Sequence, residues 1–172
     1  MSEVDELRAT MEALTARVRA LEDQLEIMQL TAQYGPAADS GAGDVAAALW
    51  TEDGTFNVAG HFRLAGRDAI AGMLNGAGHQ GLIAGGAAHV LTVPHIVVNG
   101  DEATGRSHAL NIRSHAADEF RIGRVSANTW HWVRTSQGWR IADRVNASLD
   151  GTPGHREMLT PPATKGSDHH DS

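Results

Sequence analysis

The sequence predicts an α+β domain in which helices cover one face of a curved sheet. A long heptad pattern opens the chain, short helical patterns follow it, and from about residue 87 onward apolar and polar residues alternate. A chain of 172 residues, 41% of them apolar and 20% charged, is long enough for one such domain with its own core. This composition excludes a chain that is disordered as a whole.

Net charge and cysteine content narrow the possible partners and chemistry. The 14 Lys and Arg against 21 Asp and Glu give a net charge of −7, which argues against nucleic acid and anionic membranes as partners. The chain has no cysteine, which excludes disulfides, thiolate catalysis and thiolate metal sites. Neither a signal peptide nor an apolar segment of the ~18 residues that span a bilayer is evident, so we expect a cytoplasmic protein.

The first predicted element is a long helix over residues 3–34. Its apolar residues recur at alternating spacings of four and three, which is the a/d seam of a coiled coil. These residues are Leu7, Met11, Leu14, Val18, Leu21, Leu25 and Met28. We expect the helix to mediate homo-oligomerisation, as a dimer or trimer; the alternative is a helix that lies flat on its own core. It is predicted to end near Gly35-Pro36, because proline lacks a donor and disfavours helical geometry before it.

Short elements are predicted after the long helix. Residues 39–44 are a flexible connector, and a short helix then ends before a turn at residues 52–54. A strand at residues 55–58 follows, and residues 66–68 open another helix. The segment 76–86 contains five glycines and little periodicity, so we predict a mobile loop at the mouth of any cavity.

The second half of the chain is predicted as a meander of antiparallel strands. A break at Pro94 interrupts the first strand, and Asn99-Gly100 is a strong hairpin signal. Ser136-Gln137-Gly138 joins the last two strands. The predicted strands are residues 87–98, 103–113, 125–135 and 139–145.

Three regions follow from these patterns. Residues 1–20 are predicted to be a helical extension for oligomerisation, and residues 21–150 the folded domain. Residues 151–172 are dominated by Pro, Gly, Ser, His and Asp, and we predict an extended or disordered tail.

The chain contains 10 histidines, most of which have a structural interpretation. No pair shows the HExxH or His-x-His spacing typical of a metal site, so no metal is predicted. His61, His79 and His155 lie in predicted loops and are interpreted as surface residues, and His169 and His170 lie in the tail. The remaining strand histidines are interpreted as ordinary sheet residues: His95, His108, His115 and His131.

His89 differs in its position, since it begins a strand directly after the glycine-rich segment. A histidine that acts as a base near neutral pH needs a carboxylate to fix its tautomer and stabilise its charged form. Spacing alone cannot select that carboxylate among 21 acidic residues, nor can it single out one of 10 histidines.

Several stretches of the chain resemble one known superfamily. They are Tyr34-Gly-Pro-Ala-Ala-Asp39 with Asp53-Gly54-x-Phe56, Gly66-Arg67-Asp68-Ala69-Ile70, Ala88-His89-Val90 with Val97-Val98-Asn99-Gly100-Asp101, and Gly138-Trp139-Arg140-Ile141. Together they resemble the nuclear transport factor 2-like superfamily, in particular the branch with scytalone dehydratase, bile-acid 7α-dehydratase and hexachlorocyclohexane dehydrochlorinase. The similarity covers about residues 20–150.

The resemblance implies a fold and a pocket. The expected fold is a cone-shaped α+β barrel, in which a curved mixed or antiparallel sheet wraps around a long N-terminal helix and two shorter helices. The interior of such a cone is an apolar pocket, and an apolar cavity with a few convergent polar groups suits a small ligand.

The resemblance also implies a set of site residues. Its Asp/His dyad corresponds to Asp39 and His89. An arginine five residues after the late Trp139 corresponds to Arg144, and a tyrosine five residues before the aspartate corresponds to Tyr34. Further candidates for the substrate pocket are Phe56, Asn111, Asn128 and Trp130.

The implied activity is β-elimination without cofactor or metal, on a hydrophobic, polycyclic or terpenoid small molecule. His89 would take a proton from carbon, Asp39 would stabilise the charged ring, and Arg144 and Tyr34 would stabilise or protonate the leaving group. Two alternatives remain open. One is an isomerase or cyclase of the ketosteroid isomerase or polyketide cyclase type, and the other is a noncatalytic binding or assembly module.

Overall fold

The computed structural model describes residues 2–116 and 119–161. The helices in these residues are α1 (Glu3–Asp39), α2 (Gly43–Ala47), α3 (Arg67–Asn75), α4 (Ala77–Ala84) and α5 (Pro153–Glu157). The strands are β1 (Trp50–Val58), β2 (Phe62–Ala65), β3 (Ala87–Leu91), β4 (His95–Asn99), β5 (Glu102–Ala116), β6 (Glu119–Thr135) and β7 (Gly138–Ser148).

The seven strands form one open, mixed sheet, which confirms the α+β prediction and the cone-type fold. The strand order is β2-β1-β7-β6-β5-β3, and β4 also pairs with β5. Neighbouring strands are antiparallel except β1 and β7, which are parallel. The C-terminal half of α1 packs into the sheet through buried Ile27, Leu30 and Tyr34, so the core lies between this helix and the concave face.

The seam of α1 is exposed over its first six turns. The fractional exposure of Val4, Leu7, Met11, Leu14, Val18, Leu21 and Leu25 lies between 51% and 66%. The alternative of a helix that lies flat on its own core is therefore wrong for residues 4–25. A capping box between Ser2 and Asp5 begins the helix by satisfying free N–H groups of its first turn.

The end of α1 lies further along the chain than the sequence predicts. The helix continues through Pro36 to Asp39, rather than ending at Gly35-Pro36. Pro36 lacks only the backbone hydrogen bond to the carbonyl of Ala32. Burial of Ala37 and Ala38 in the core stabilises the turn that follows. Asp39 is consequently held in a helical turn and not in a flexible connector.

Three further expectations are wrong. Residues 52–54 lie inside β1 instead of forming a turn, and β1 pairs with both β2 and β7. The glycine-rich segment 76–86 contains helix α4 instead of a mobile loop. Part of the predicted tail forms α5, which begins with Pro153, a residue favoured in the first turn of a helix. The remainder of the tail, residues 162–172 with His169 and His170, lies outside the described residues.

The other elements agree with the sequence patterns. Gly66 precedes α3, the chain breaks at Pro94 between β3 and β4, and a tight hairpin at Asn99-Gly100 joins β4 to β5. Gly138, with a φ of 91°, completes the turn between β6 and β7. Among the described helices, none is sufficiently long and apolar to cross a membrane.

Candidate active site

A cavity of about 560 Å³ lies on the concave face of the sheet, with α1, α3 and α4 beside it. Its apolar lining comes from Phe56, Val58, Phe62, Met73 and Leu82. Its polar lining comes from Tyr34, His61, His79, His89, Asn111, Arg113, Arg124, Arg144 and Asn146. The volume is in the range of about 300–1,000 Å³ that is usual for small-molecule sites.

Asp39 and His89 are brought together at one side of this cavity. The Asp39 Oδ1 atom lies 2.5 Å from His89 Nδ1, and Oδ2 accepts a hydrogen bond of 2.7 Å from the His89 backbone N–H. The carboxylate thus fixes both the main chain and the ring of one residue. Because Nδ1 faces a carboxylate, it carries the ring hydrogen in the neutral imidazole, and Nε2 is the nitrogen free to accept a proton.

The dyad depends on a close approach between α1 and β3. A Cβ on Gly35 would lie 2.3 Å from the His89 carbonyl oxygen, so only glycine permits this contact. One helical turn later, Asp39 reaches the N–H and the ring of the same strand residue. The Gly35-Pro36 pair therefore positions the helix against the strand instead of ending it.

The electrostatic surroundings favour neutral His89. Burial lowers the pKa of the His89 imidazole below its ordinary value of 6.5, although the hydrogen bond and charge of Asp39 act in the opposite direction. The positive charge of Arg144 also lowers this pKa. At neutral pH the ring is therefore unprotonated at Nε2 and able to act as a base.

Arg144 lies deep in the site and is only 3% exposed. Its guanidinium carbon lies 4.3, 4.7 and 4.5 Å from the ring centroids of Tyr34, Phe56 and Trp130, and its Nε donates a 3.0 Å hydrogen bond to Asn128 Oδ1. Within the described chain, its Nη1 has no hydrogen-bond partner. Burial lowers the pKa of Arg144, but arginine remains charged in proteins. The site therefore holds a desolvated cation with a free donor.

Tyr34 lines the cavity between the dyad and Arg144. It is buried, and its ring meets His89 edge to face at a centroid distance of 6.3 Å. Although Pro36 follows two residues after Tyr34, α1 remains helical as far as Asp39, and the Tyr34 side chain faces the cavity.

Two of the predicted pocket residues do not line the cavity. Asn128 and Trp130 lie on the same sheet face but are covered by Arg144, which stacks on the Trp130 ring and bonds Asn128. Trp130 pairs with Arg144 in the β6–β7 register, and this pairing brings the long arginine over it. Asn146 lines the cavity instead and donates to Asn128 Oδ1 at 3.1 Å. Phe56 and Asn111, the other two candidates for the substrate pocket, both line this cavity.

Comparisons with known proteins identify the family. A family model for the SnoaL-like domain matches residues 19–145. The chain belongs to the SnoaL-like domain family. This family includes polyketide cyclases and dehydratases, so enzymes are among its members.

Solved structures agree with the assignment to the SnoaL-like family. An NTF2-like protein with a cystatin-like fold from Novosphingobium aromaticivorans is 44% identical, with a TM-score of 0.83 over 86% of this chain and 96% of its own. A protein of unknown function from Mycobacterium tuberculosis is 26% identical, with a TM-score of 0.66 over 90% of this chain and 81% of its own.

A more distant structure shows the fold alone. It is a domain of unknown function with a cystatin-like fold from Nostoc punctiforme, 23% identical, with a TM-score of 0.64 over 73% of this chain and 76% of its own. These similarities confirm the resemblance to the nuclear transport factor 2-like superfamily. No curated protein matches the chain in sequence.

The SnoaL-like pocket also contains residues that sequence reasoning missed. His79, interpreted as a surface loop residue, lies on α4 with its ring centroid 5.4 Å from that of His89. Its Nε2 lies 3.1 Å from the carbonyl oxygen of Ala38, beside the dyad aspartate. The one sequence signal for a helix here is that His79 and Leu82 are three residues apart, as on one helix face. The surrounding glycines have low helix propensity and make that signal weak.

The described part of this SnoaL-like chain contains no group of three or more His, Asp or Glu side chains arranged to hold a metal ion. The donors that converge on the cavity are instead imidazole, guanidinium, amide and phenol groups. This set suits acid–base chemistry on an organic molecule.

Proposed function

We propose that this SnoaL-like domain is a lyase that catalyses β-elimination on a hydrophobic small molecule. The observation that carries the proposal is that Asp39 accepts hydrogen bonds from both the ring and the backbone N–H of His89, which leaves Nε2 as a base at the cavity. A base that is unprotonated at neutral pH, a carboxylate that orients it and a buried cation that stabilises negative charge are the groups that such a reaction requires.

The first step is removal of a proton from carbon. His89 Nε2 takes the proton from the carbon next to the one that bears the leaving group, and Asp39 stabilises the resulting imidazolium. The electron pair of the broken C–H bond forms the new C=C double bond. The leaving group departs with the electrons of its own bond.

The departing group is stabilised on the arginine side of the cavity. Arg144 has a free Nη1 donor in a desolvated position, where a hydrogen bond to a developing anion is strong. For a hydroxyl leaving group, the Tyr34 phenol supplies the proton that makes it water, and the proton held by His89 returns to the tyrosine through solvent. These steps use side chains of this chain and solvent water.

The substrate is proposed to be hydrophobic and polycyclic or terpenoid in kind. Five apolar side chains line the cavity, from Phe56 to Leu82. The volume of about 560 Å³ accommodates a molecule of several fused rings or isoprene units.

A second candidate is an isomerase or cyclase in which His89 returns its proton to the substrate. It is favoured by the membership of polyketide cyclases in the SnoaL-like family. Loss of water or halide from the substrate marks a lyase, whereas an unchanged molecular mass marks an isomerase.

Solvent deuterium exchange tests proton abstraction in both candidates. The protein is incubated in deuterium oxide with a panel of polycyclic ketones that carry a hydroxyl group β to the carbonyl, and products are analysed by mass spectrometry. We expect deuterium at the α-carbon of recovered substrate, or a product that has lost water. His89→Ala should slow either process by about 10²–10⁴-fold.

The exposed histidine His108 on β5 offers a matched control. His108→Gln should keep the rate of the unmodified protein. Equal rates for His89→Ala and His108→Gln would remove His89 from the mechanism, and a wild-type protein without exchange or elimination would favour a binding module.

A further inference from the structure

The cavity is strongly cationic although the protein is acidic overall. Arg113 on β5, Arg124 on β6 and Arg144 on β7 all line it. No carboxylate is among its lining residues in the part of the chain that the structure describes. The net charge of the chain is −7, so three arginines around one pocket make the electrostatic potential there opposite in sign to that of the protein as a whole.

Arg124 has donors that nothing within the described residues satisfies. Its Nε and Nη2 atoms are buried without a hydrogen-bond partner. Burial lowers the pKa of the Arg124 guanidinium, and the charge of Asp150 opposes this only in part. Unpaired buried donors on a charged group are costly unless a ligand completes them.

A bulge in β6 accommodates the second arginine. Asn111 pairs with Arg124 and Ile112 pairs with Ile122, so Gly123 has no partner on β5. The Arg113 side chain lies across this glycine, where a Cβ would be 3.2 Å from its Nε. The missing side chain thus leaves room for Arg113 to lie along β6 beside Arg124.

The strand register places these arginines near the dyad. His89, Asn111 and Arg124 form one row across β3, β5 and β6. At a strand spacing of about 4.8 Å, the backbones of His89 and Arg124 are roughly 10 Å apart. Arg144 pairs with Trp130, six residues further along β6, and lies deeper.

We propose that Arg113 and Arg124 bind a carboxylate group of the substrate, so that the reacting molecule is a polycyclic or terpenoid acid. This inference rests on the proposed function, because it assigns the substrate class of the same cavity. The carboxylate completes the free donors of Arg124, and the apolar body of the acid reaches from this row towards His89 and Arg144.

Binding of a matched pair of probes tests the proposal without any turnover. Calorimetry compares 2-naphthoate with its neutral isostere 2-naphthamide. The wild-type protein should bind the acid at least about tenfold more tightly than the amide, and the Arg113→Gln, Arg124→Gln double variant should lose this preference. Arg121→Gln is the control, because Arg121 lies on β6 outside the cavity and pairs with Glu119.

The outcomes separate this inference from the proposed reaction. Equal affinities in the wild type, no binding of either probe, or a preference for the acid that survives in the double variant would overturn the carboxylate subsite. A preference lost in the double variant, together with the absence of deuterium exchange in the wild type, would keep the subsite and refute the lyase. Circular dichroism melts establish that each variant is folded.

A separate observation concerns the exposed seam of α1. The a positions are Val4, Met11, Val18 and Leu25, and the d positions are Leu7, Leu14, Leu21 and Met28. Leucine at d with valine at half of the a positions favours two strands. On another face of the helix, Asp23 binds Arg134 and Glu26 binds the Trp139 backbone N–H, which leaves the seam open as far as Leu25.

The charges that flank the seam select one arrangement. In a parallel, in-register pair each g residue faces the e residue five positions later in the partner. Glu3 then faces Arg8 and Arg17 faces Glu22, so both charged pairs are opposite in sign. The remaining pairs are neutral: Thr10 with Thr15, and Gln24 with Gln29. The ion pairs within the described chain use none of the four charged residues.

We infer that residues 3–25 of two copies form a parallel, in-register coiled coil. Light scattering of the full chain should give the mass of a dimer, and Leu14→Glu should give a monomer. Arg17→Glu and Glu22→Arg should each weaken the dimer, while the double variant with both changes restores it. A wild-type monomer or trimer, or a Leu14→Glu dimer, would overturn the inference.

Strand orientation has its own test, because the chain lacks cysteine. Oxidation of Leu7→Cys should produce a disulfide-linked dimer if the two helices are parallel and in register. In an antiparallel pair, residue 7 lies far from its copy, and a chain that remains unlinked would contradict the parallel arrangement.

Discussion

The Asp39 carboxylate holds His89 at two points, since Oδ1 lies 2.5 Å from the ring Nδ1 and Oδ2 accepts from the backbone N–H at 2.7 Å. The side-chain exposure of the two residues is only 23% and 14%. A single carboxylate thus fixes the position and the tautomer of the ring that faces the cavity, and it stabilises the ring when the ring is protonated. Substitutions of Asp39 and of His89 should therefore have different, separately measurable effects.

The first prediction concerns Asp39→Asn. The amide removes the negative charge and can present N–H to the ring, which reverses the tautomer and places the hydrogen on Nε2. We expect deuterium exchange or elimination to slow by about 10²–10⁴-fold with little change in fold. Asp53→Asn, at an exposed position on β1, is the control and should keep full activity. Full activity of Asp39→Asn would show that the carboxylate serves the fold alone.

The second prediction concerns the contact between α1 and β3. Gly35→Ala places a methyl group 2.3 Å from the His89 carbonyl oxygen, so the helix must move away and the dyad must separate. Gly72→Ala is the matched control in helix α3, with open space around the new Cβ. Urea unfolding should show a loss of stability for Gly35→Ala and a gain of up to about 1 kcal/mol for Gly72→Ala. Equal effects of the two changes would contradict the close approach.

The third prediction is a dependence of stability on pH. Burial holds the folded-state pKa of His89 below 6.5, so the unfolded chain binds this proton more readily than the folded chain. The stabilisation is complete above about pH 6.5 and is lost as the pH falls through that value towards the folded pKa.

The free energy of urea unfolding at about pH 7.5 and about pH 5.5 measures this effect. His89→Gln should reduce the loss of stability between the two values, whereas His108→Gln should leave it unchanged. The same loss in His89→Gln and the wild type would show that His89 does not titrate in this way.

The fourth prediction concerns the buried cation. Arg144→Met removes a desolvated charge, and Asn128 Oδ1 keeps a hydrogen bond from Asn146. Thermal unfolding should therefore give a melting temperature equal to or above that of the wild type. Activity should fall by about 10²–10³-fold, because the leaving group loses its stabilising donor. A variant that is active but clearly less stable would assign Arg144 a structural role.

The sequence patterns predict the fold better than they predict the helix ends. The heptad of α1 and the alternation after residue 87 are strong periodic signals, and the structure has a helix and strands there. Pro36 is a misleading signal because Ala37 and Ala38 of the following turn are buried in the core, which stabilises a helix that local propensity disfavours. The glycines of residues 76–86 mislead in the same way, although α4 has no fully buried residue; its His79 and Gln80 side chains instead contact the carbonyl oxygens of Ala38 and Leu74.

The site could be predicted only in part. The resemblance placed Asp39, His89, Arg144 and Tyr34 in one pocket, and the structure brings them together. Sequence spacing gave no register for β6, so Asn128 and Trp130 were expected at the cavity surface and not beneath Arg144. Arg124 and His79 were not predicted. The position of Arg124 depends on a β-bulge, and that of His79 on a glycine-containing helix that has no clear sequence pattern.

The state of the His89 ring tests the central claim most directly. Two-dimensional nitrogen–proton NMR of the ring at about pH 7 reports which nitrogen carries hydrogen, without knowledge of the substrate. We predict a neutral ring with hydrogen on Nδ1 and a bare Nε2. A charged imidazolium, or a neutral ring with its hydrogen on Nε2, would contradict the account.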